Sequence, residues 1–182
     1  MVVLVVALLV VGAVAGVLLH RRGHADQAYG GFPTWLPKPR VAVGRVVVAT
    51  PGRPAHAIEG DTVHVRLAHG GVLVTAVGPS VPEEGHFPIP STSPCTFTVS
   101  FEHASGAVRL RAADFTALDE HGALHRVRAT LRGGRPLPSQ LPANRPVELV
   151  LHGVLPTGGG ALQWSPQGAV PVASWDYDVE ID

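Results

Sequence analysis

A chain of 182 residues with 14 Lys+Arg against 14 Asp+Glu carries no net charge, so no global basic field exists to hold nucleic acid. Its single cysteine, Cys95, rules out an intrachain disulfide and leaves stability to packing. With 21 Gly and 17 Pro the chain favours turns and short strands over long helices. Lys38 is the only lysine, a bias that fits a GC-rich bacterial genome.

The first element is apolar. Val2 to Leu19 gives 18 residues without a charge or a polar face. As a helix rising about 1.5 Å per residue it would reach roughly 27 Å. The hydrocarbon core of a bilayer is about 30 Å, so the run is short but sufficient. Backbone groups in lipid must be satisfied internally, which makes helix the expected state. Residues 1–22 are therefore expected to form an uncleaved single-pass transmembrane helix. A cleaved signal peptide is the alternative, with Ala13-Val14-Ala15 as its small-x-small site. Against it, no Lys or Arg precedes the run, and cutting there would leave apolar Gly16-Val17-Leu18-Leu19 as the new terminus. Gly12 and Gly16 have the spacing of a helix-pairing face, and so of a homodimer formed through the membrane helix.

Topology pulls in two directions. Arg21, Arg22, Lys38 and Arg40 all follow the run, and the positive-inside rule would keep that end in the cytoplasm. Basic residues ahead of the run, encoded from a start codon further upstream, would reverse the argument.

Residues 23–40 have no hydrophobic period. Pro33, Pro37 and Pro39 favour extended backbone, so the segment is expected to be a semi-stiff linker. Tyr29, Phe32 and Trp35 fit either the bilayer interface or packing on the following domain.

Residues 41–182 are expected to form one domain of short strands. RVVVAT (45–50) is strongly β-prone. DTVHVRL (61–67) alternates, with Val63, Val65 and Leu67 on one face. GVLVTAV (71–77) follows a Gly-rich turn. CTFTVSFEH (95–103) alternates with Cys95, Phe97, Val99 and Phe101 inward, and turns at Ala104-Ser105-Gly106 into AVRLRA (107–112). DFTALDEHGALHRV (114–127) is expected to be a hairpin around Asp119 to Gly122. PVELVLHGVL (146–155), ALQW (161–164) and VASWDYDVEID (172–182) complete the series, with Gly158-Gly159-Gly160 expected to be a flexible turn. Eight or nine strands with frequent turns predict an antiparallel β-sandwich. Two Pro-rich stretches, 78–94 and 132–146, are expected to be long loops, where binding often resides.

The ordered series over residues 95–182 resembles a bacterial family of immunoglobulin-like exported domains, the DUF4352 or telokin-like proteins and the related MPT63-type secreted antigens. CTFTVSF, the Asp-x-x-Gly hairpin of 114–127, the strand PVELVLHGVLPTGG (146–159), ALQWSP and the Trp175 strand carry the resemblance. It departs at Glu102-His103-Ala104, where the family often has an Asn. The resemblance implies an immunoglobulin-like fold and export from the cytoplasm. It supplies no catalytic residues to carry over.

Signatures of chemistry are missing. There is no His-Glu-x-x-His, no Gly-x-Ser-x-Gly and no phosphate-binding Gly motif ahead of a helix. His121 and His125 have helical ligand spacing but fall across a predicted turn. No catalytic residue, metal or cofactor is therefore expected. The most ordered polar feature is Asp176, Asp178, Glu180 and Asp182, alternating with apolar residues. Alternate strand residues share a face at about 6.8 Å. The acids are expected to form a divalent cation site or an interaction strip for a basic partner, or else to be the solvated face of an edge strand. Arg109, Arg111, Arg126 and Arg128 would neutralise them if they lay across from them.

These features combine into an expectation: a non-catalytic, membrane-anchored envelope protein that displays an immunoglobulin-like module, domain extracytoplasmic. Its partners would be the bilayer and another envelope protein. Two alternatives stay open: a hydrolase or metal-dependent enzyme with its site at one end of the sandwich, and a cytoplasm-facing domain regulating a membrane partner.

Overall fold

The computed structural model describes residues 46–81, 88 and 90–180, all within one unit spanning Gly44–Asp182. The expected transmembrane helix, Gly12, Gly16, the linker with Tyr29, Phe32 and Trp35, and Asp182 lie outside the described residues. No helix among the described residues is long and apolar enough to cross a membrane.

The strands, in chain order, are β1 (Val47–Ala49), β2 (Ala55–Ile58), β3 (Thr62–Leu67), β4 (Gly70–Ser80), β5 (Thr92–Gly106), β6 (Phe115–Asp119), β7 (Leu124–Arg126), β8 (Arg128–Leu131), β9 (Val147–Pro156), β10 (Gly158–Trp164) and β11 (Ala173–Val179). They form a six-stranded sheet, β1-β3-β4-β5-β9-β8, and a five-stranded sheet, β2-β11-β10-β6-β7. The fold is a two-sheet β-sandwich. Its core is the layer where alternate residues of both sheets meet. Cys95, Phe97, Val99 and Phe101 of β5 point inward, as do Leu149, Leu151 and Leu155 of β9. From the facing sheet come Phe115, Leu162, Trp164, Trp175 and Tyr177. Phe101 meets Trp164 edge to face at 5.2 Å, and Phe97 meets Tyr177 in the same way at 5.1 Å, so aromatic pairs bridge the layers.

The expected antiparallel pattern holds with two exceptions. β1 pairs parallel with β3, and β2 parallel with β11. Both come from one chain segment that changes sheets. β1 edges the six-stranded sheet and β2 edges the five-stranded one. Between them a turn is closed by reciprocal Thr50 and Arg53 backbone hydrogen bonds of 2.9 and 3.0 Å. The opposite flank is built alike. β7 ends the five-stranded sheet, β8 ends the six-stranded sheet, and buried Val127 joins them. Strands that switch sheets make the corners of the sandwich.

Several sequence expectations need correction. The segment 107–112 is not a regular strand. Val108 and Leu110 are buried, but their backbone pairs with the second Pro-rich stretch: Leu110 donates to Ser139 O at 3.1 Å and Leu141 donates to Val108 O at 2.9 Å. Stretch 132–146 is thereby pinned to the body rather than left as a free loop. The turn placed at 104–106 belongs to β5, because Ser105 and Gly106 pair with Gly71 and Gly70 of β4. The glycines 158–160 are strand rather than turn. Gly160 sits opposite Tyr177, whose ring lies where a Cβ would be. β2 and β8 were not anticipated, being only four residues each and carrying Ala at their inward positions.

Candidate functional site

The outward face of the five-stranded sheet carries the acidic residues singled out from the sequence. Along β11 the buried Trp175, Tyr177 and Val179 alternate with exposed Asp176 and Asp178; exposed Glu180 follows the strand. β11 is not an edge strand, since β2 and β10 flank it. β2 pairs with β11 only over Ala173–Asp176, so the edge-strand reading fails for Asp176.

Register sets what lies beside them. One cross-sheet row runs Ile58, Asp176, Ala161, Leu118, Leu124. The adjacent row runs His56, Ser174, Gln163, Thr116, Arg126. The apolar ends of the first row, Ile58 and Leu124, are 62% and 64% exposed. Asp176 is not neutralised by arginine. Its neighbour is His56 on β2, whose Nε2 lies 2.9 Å from Oδ1 and 3.0 Å from Oδ2. The other ring nitrogen, Nδ1, is 2.8 Å from Ser174 Oγ. Of the four arginines, Arg126 closes the polar row three strands away, Arg128 lies in the other sheet, Arg111 pairs with Asp114 at 3.1 Å, and Arg109 sits where the backbone forms a β-bridge with Gln140. The face is thus acidic towards β2 and β11 and basic at its β7 edge.

Ser174, His56 and Asp176 make a continuous hydrogen-bonded chain, but its chemistry is limited by its setting. The His56 and Asp176 side chains are 61% and 51% exposed on an open sheet face. β10 is paired on both sides, β11 is paired with β10 and, over Ala173–Asp176, with β2, and β2 is the edge of the sheet. Among the described residues no group of three or more His, Cys, Asp or Glu is placed to hold a metal ion.

A second His–carboxylate pair closes the β6–β7 hairpin. His125 Nε2 lies 2.8 Å from Asp119 Oδ2, while Oδ1 accepts the backbone N–H of His121 at 2.9 Å and of Ala123 at 2.8 Å. His121 points elsewhere, 3.8 Å from Glu120, so the two histidines of the His-x-x-x-His spacing do separate jobs. The contact with His125, followed by the Ala123 N–H, holds Asp119 below the usual carboxylate range. A depressed folded value means the contribution is full above the unfolded value of about 3.9 and is lost as pH falls through the folded one. The melting temperature is therefore expected to drop on acidification below about pH 4. Asp119→Asn should lower it at neutral pH and flatten that acid limb. A variant with an unchanged acid limb would remove Asp119 from this role.

Cys95 is buried with Sγ 3.4 Å from Ser93 O, and burial raises its thiol above the ordinary value. Burial also pushes Tyr177 up to about 12, assisted by Cys95 and Asp119. Both groups are neutral, core-facing side chains near neutral pH.

The two residues that organise the acidic face, His56 and Ser174, carried no signal in the sequence. They pair across 118 positions, and β2 was itself not anticipated. The Asp119 turn did leave a trace, the Asp-x-x-Gly hairpin.

No family model matches the chain, and no curated protein matches it. Solved structures do align with it. A secreted protein of Mycobacterium tuberculosis, MPT63, is 13% identical over 68% of this chain and 98% of its own, with a TM-score of 0.48. An uncharacterised β-sandwich protein of Clostridium difficile is 11% identical over 70% and 95%, TM-score 0.41. A candidate lipoprotein of Bacillus subtilis is 15% identical over 59% of this chain and 36% of its own, TM-score 0.41. The sandwich assignment stands on the chain's own sheets, and these likenesses add no function to it.

Proposed function

We propose that this chain is a membrane-tethered, non-catalytic display module: an immunoglobulin-like sandwich held outside the cytoplasmic membrane by the N-terminal segment. The observation that carries it is the uncharged run Val2–Leu19 joined through the Pro-rich 23–40 stretch to a strand-built body. A spacer of that composition stands a domain off from a bilayer. The interaction surface is the acidic part of the five-stranded sheet, Asp176, Asp178 and Glu180 beside Ile58. Its partner is a basic patch on another envelope protein, drawn by charge and seated on the exposed apolar side chain.

The opposing placement, a cytoplasm-facing regulatory domain, draws support from Arg21 and Arg22 after the run. One experiment separates the two. Intact cells expressing the full chain with a C-terminal tag are exposed to protease, and a membrane fraction is washed at high pH. The tag is expected to be lost from intact cells, and the N-terminal stub to stay with the washed membranes. A tag that survives until lysis would overturn the extracytoplasmic placement. A chain released by the wash would overturn the anchor.

A further inference from the structure

At the corner where the chain passes from β7 to β8, the side of the sandwich opens into a cleft of about 670 Å³. Its polar lining is Arg126, Arg128, His152 and Thr116, and its apolar lining includes Phe115 and Val127. We propose that this cleft binds a small organic anion, an oxyanion group on a compact apolar body. The inference is independent of where the chain sits in the cell.

The chain's own geometry places the charges together. Val127 is buried, so the flanking Arg126 and Arg128 both point away from the core. The chain changes sheet at Val127, so Arg126 belongs to the five-stranded sheet and Arg128 to the six-stranded one, and the cleft at that corner is lined by both. Arg128 is the direct cross-strand partner of His152 on β9, and opposed side chains start about 5 Å apart. His152 in turn lies beside Thr96 of β5, with Nδ1 3.2 Å from the hydroxyl. That contact fixes the ring and leaves Nε2 as its remaining polar atom. Thr116, the partner of Arg126 on β6, adds a hydroxyl.

The electrostatics are one-sided. No carboxylate among the described residues lies within 4.0 Å of an Arg126 or Arg128 nitrogen, whereas Arg111 and Arg132 each have one. Two arginines side by side without an acid repel each other, and an anion between them relieves this. Guanidinium forks match carboxylate and phosphate oxygens in pairs. The volume falls within the roughly 300–1,000 Å³ of small-molecule clefts. The exposed Ala112 and Ala113 in the lining, with buried Phe115 and Val127 behind, offer apolar surface that a bare inorganic ion cannot use, which is why the ligand is an organic anion.

The test is isothermal titration of the purified full chain with phenyl phosphate, benzoate, inorganic phosphate and benzyl alcohol. One site is expected for phenyl phosphate or benzoate, and which of them binds tighter identifies the oxyanion. Inorganic phosphate should bind at least about tenfold more weakly and benzyl alcohol not measurably. Arg126→Gln and Arg128→Gln should each weaken binding about tenfold or more, the usual loss for a hydrogen bond to a charged group. Both side chains are exposed, so the melting temperature should hold. If a Gln variant fails to fold, Arg128→Lys and Arg126→Lys keep the charge and should still weaken binding by losing the paired geometry. No binding of either aromatic anion at millimolar concentration would overturn the proposal. So would equal binding by the arginine variants, or inorganic phosphate binding as tightly as the aromatic anions.

Discussion

Replacing Trp164 by alanine is expected to remove about 3–5 kcal/mol of folding stability, the range for truncating a fully buried indole. Trp164 is 0% exposed, stacks on Phe115 with ring centroids 6.3 Å apart, and meets Phe101 at 5.2 Å. A domain of this size has about 5–15 kcal/mol in total, so the variant should be marginal. The informative comparison is with phenylalanine. Trp175 is almost as deeply buried, but its Nε1 donates to Asp61 O at 3.0 Å, tying β11 to the turn ahead of β3 in the opposite sheet. The Trp164 Nε1 has no hydrogen-bond partner among the described residues. Both Phe variants lose similar volume, but only Trp175→Phe breaks a hydrogen bond. It should therefore be the costlier by about 1 kcal/mol in equilibrium urea unfolding. If Trp164→Phe proves costlier, the polar accounting of this core is wrong.

The same core explains what could be read ahead of the structure. Residues 95–101 announce their strand, because β5 is central to its sheet and buries Cys95, Phe97, Val99 and Phe101 at strict period two. The terminal strand is legible for the same reason, through Trp175, Tyr177 and Val179. The edges are not. β2 reads Ala-His-Ala-Ile, and its inward alanines give almost no hydrophobic signal although they are buried. Segment 107–112 fails the other way. Its alternation is real, with Val108 and Leu110 in the core, but its hydrogen-bond partner is an irregular Pro-rich stretch instead of a strand. Periodicity reports which side chains are buried, not what the backbone pairs with.

The candidate sites were less legible still, because each is a product of register. Asp176 was visible as one of four alternating acids, but its neighbour His56 is 120 residues away in the chain. Arg126 and Arg128 were visible as alternating residues, and their meeting with His152 depends on β8 pairing with β9. The two arginines come from the edge strands of different sheets and line the same corner cleft. The sequence places them at i and i+2, and only the change of sheet at Val127 turns that spacing into a lined cleft.

Gly160→Ala is expected to destabilise the chain by about 1–3 kcal/mol, the usual range for overpacking, despite alanine being a better strand residue than glycine. The cause is local and identifiable. Gly160 lies in β10 between β11 and β6, directly opposite Tyr177 and Asp119. An added Cβ would meet the Tyr177 ring and the Leu118 carbonyl. The ring cannot withdraw freely, since it also packs edge to face on Phe97 and its hydroxyl donates to Leu118 O at 3.4 Å. A glycine beneath an aromatic ring is thus one packing unit, and the two residues should not behave independently. Tyr177→Ala alone should cost about 3–5 kcal/mol through the cavity it leaves. In the double variant the new methyl group enters space the ring has vacated. The combined loss should then fall short of the sum by about 0.5–3 kcal/mol. Urea unfolding of the four chains measures that coupling. If the two losses simply add, the methyl group is rejected by the Leu118 backbone instead, and Gly160 serves the β6–β10 approach rather than the aromatic ring.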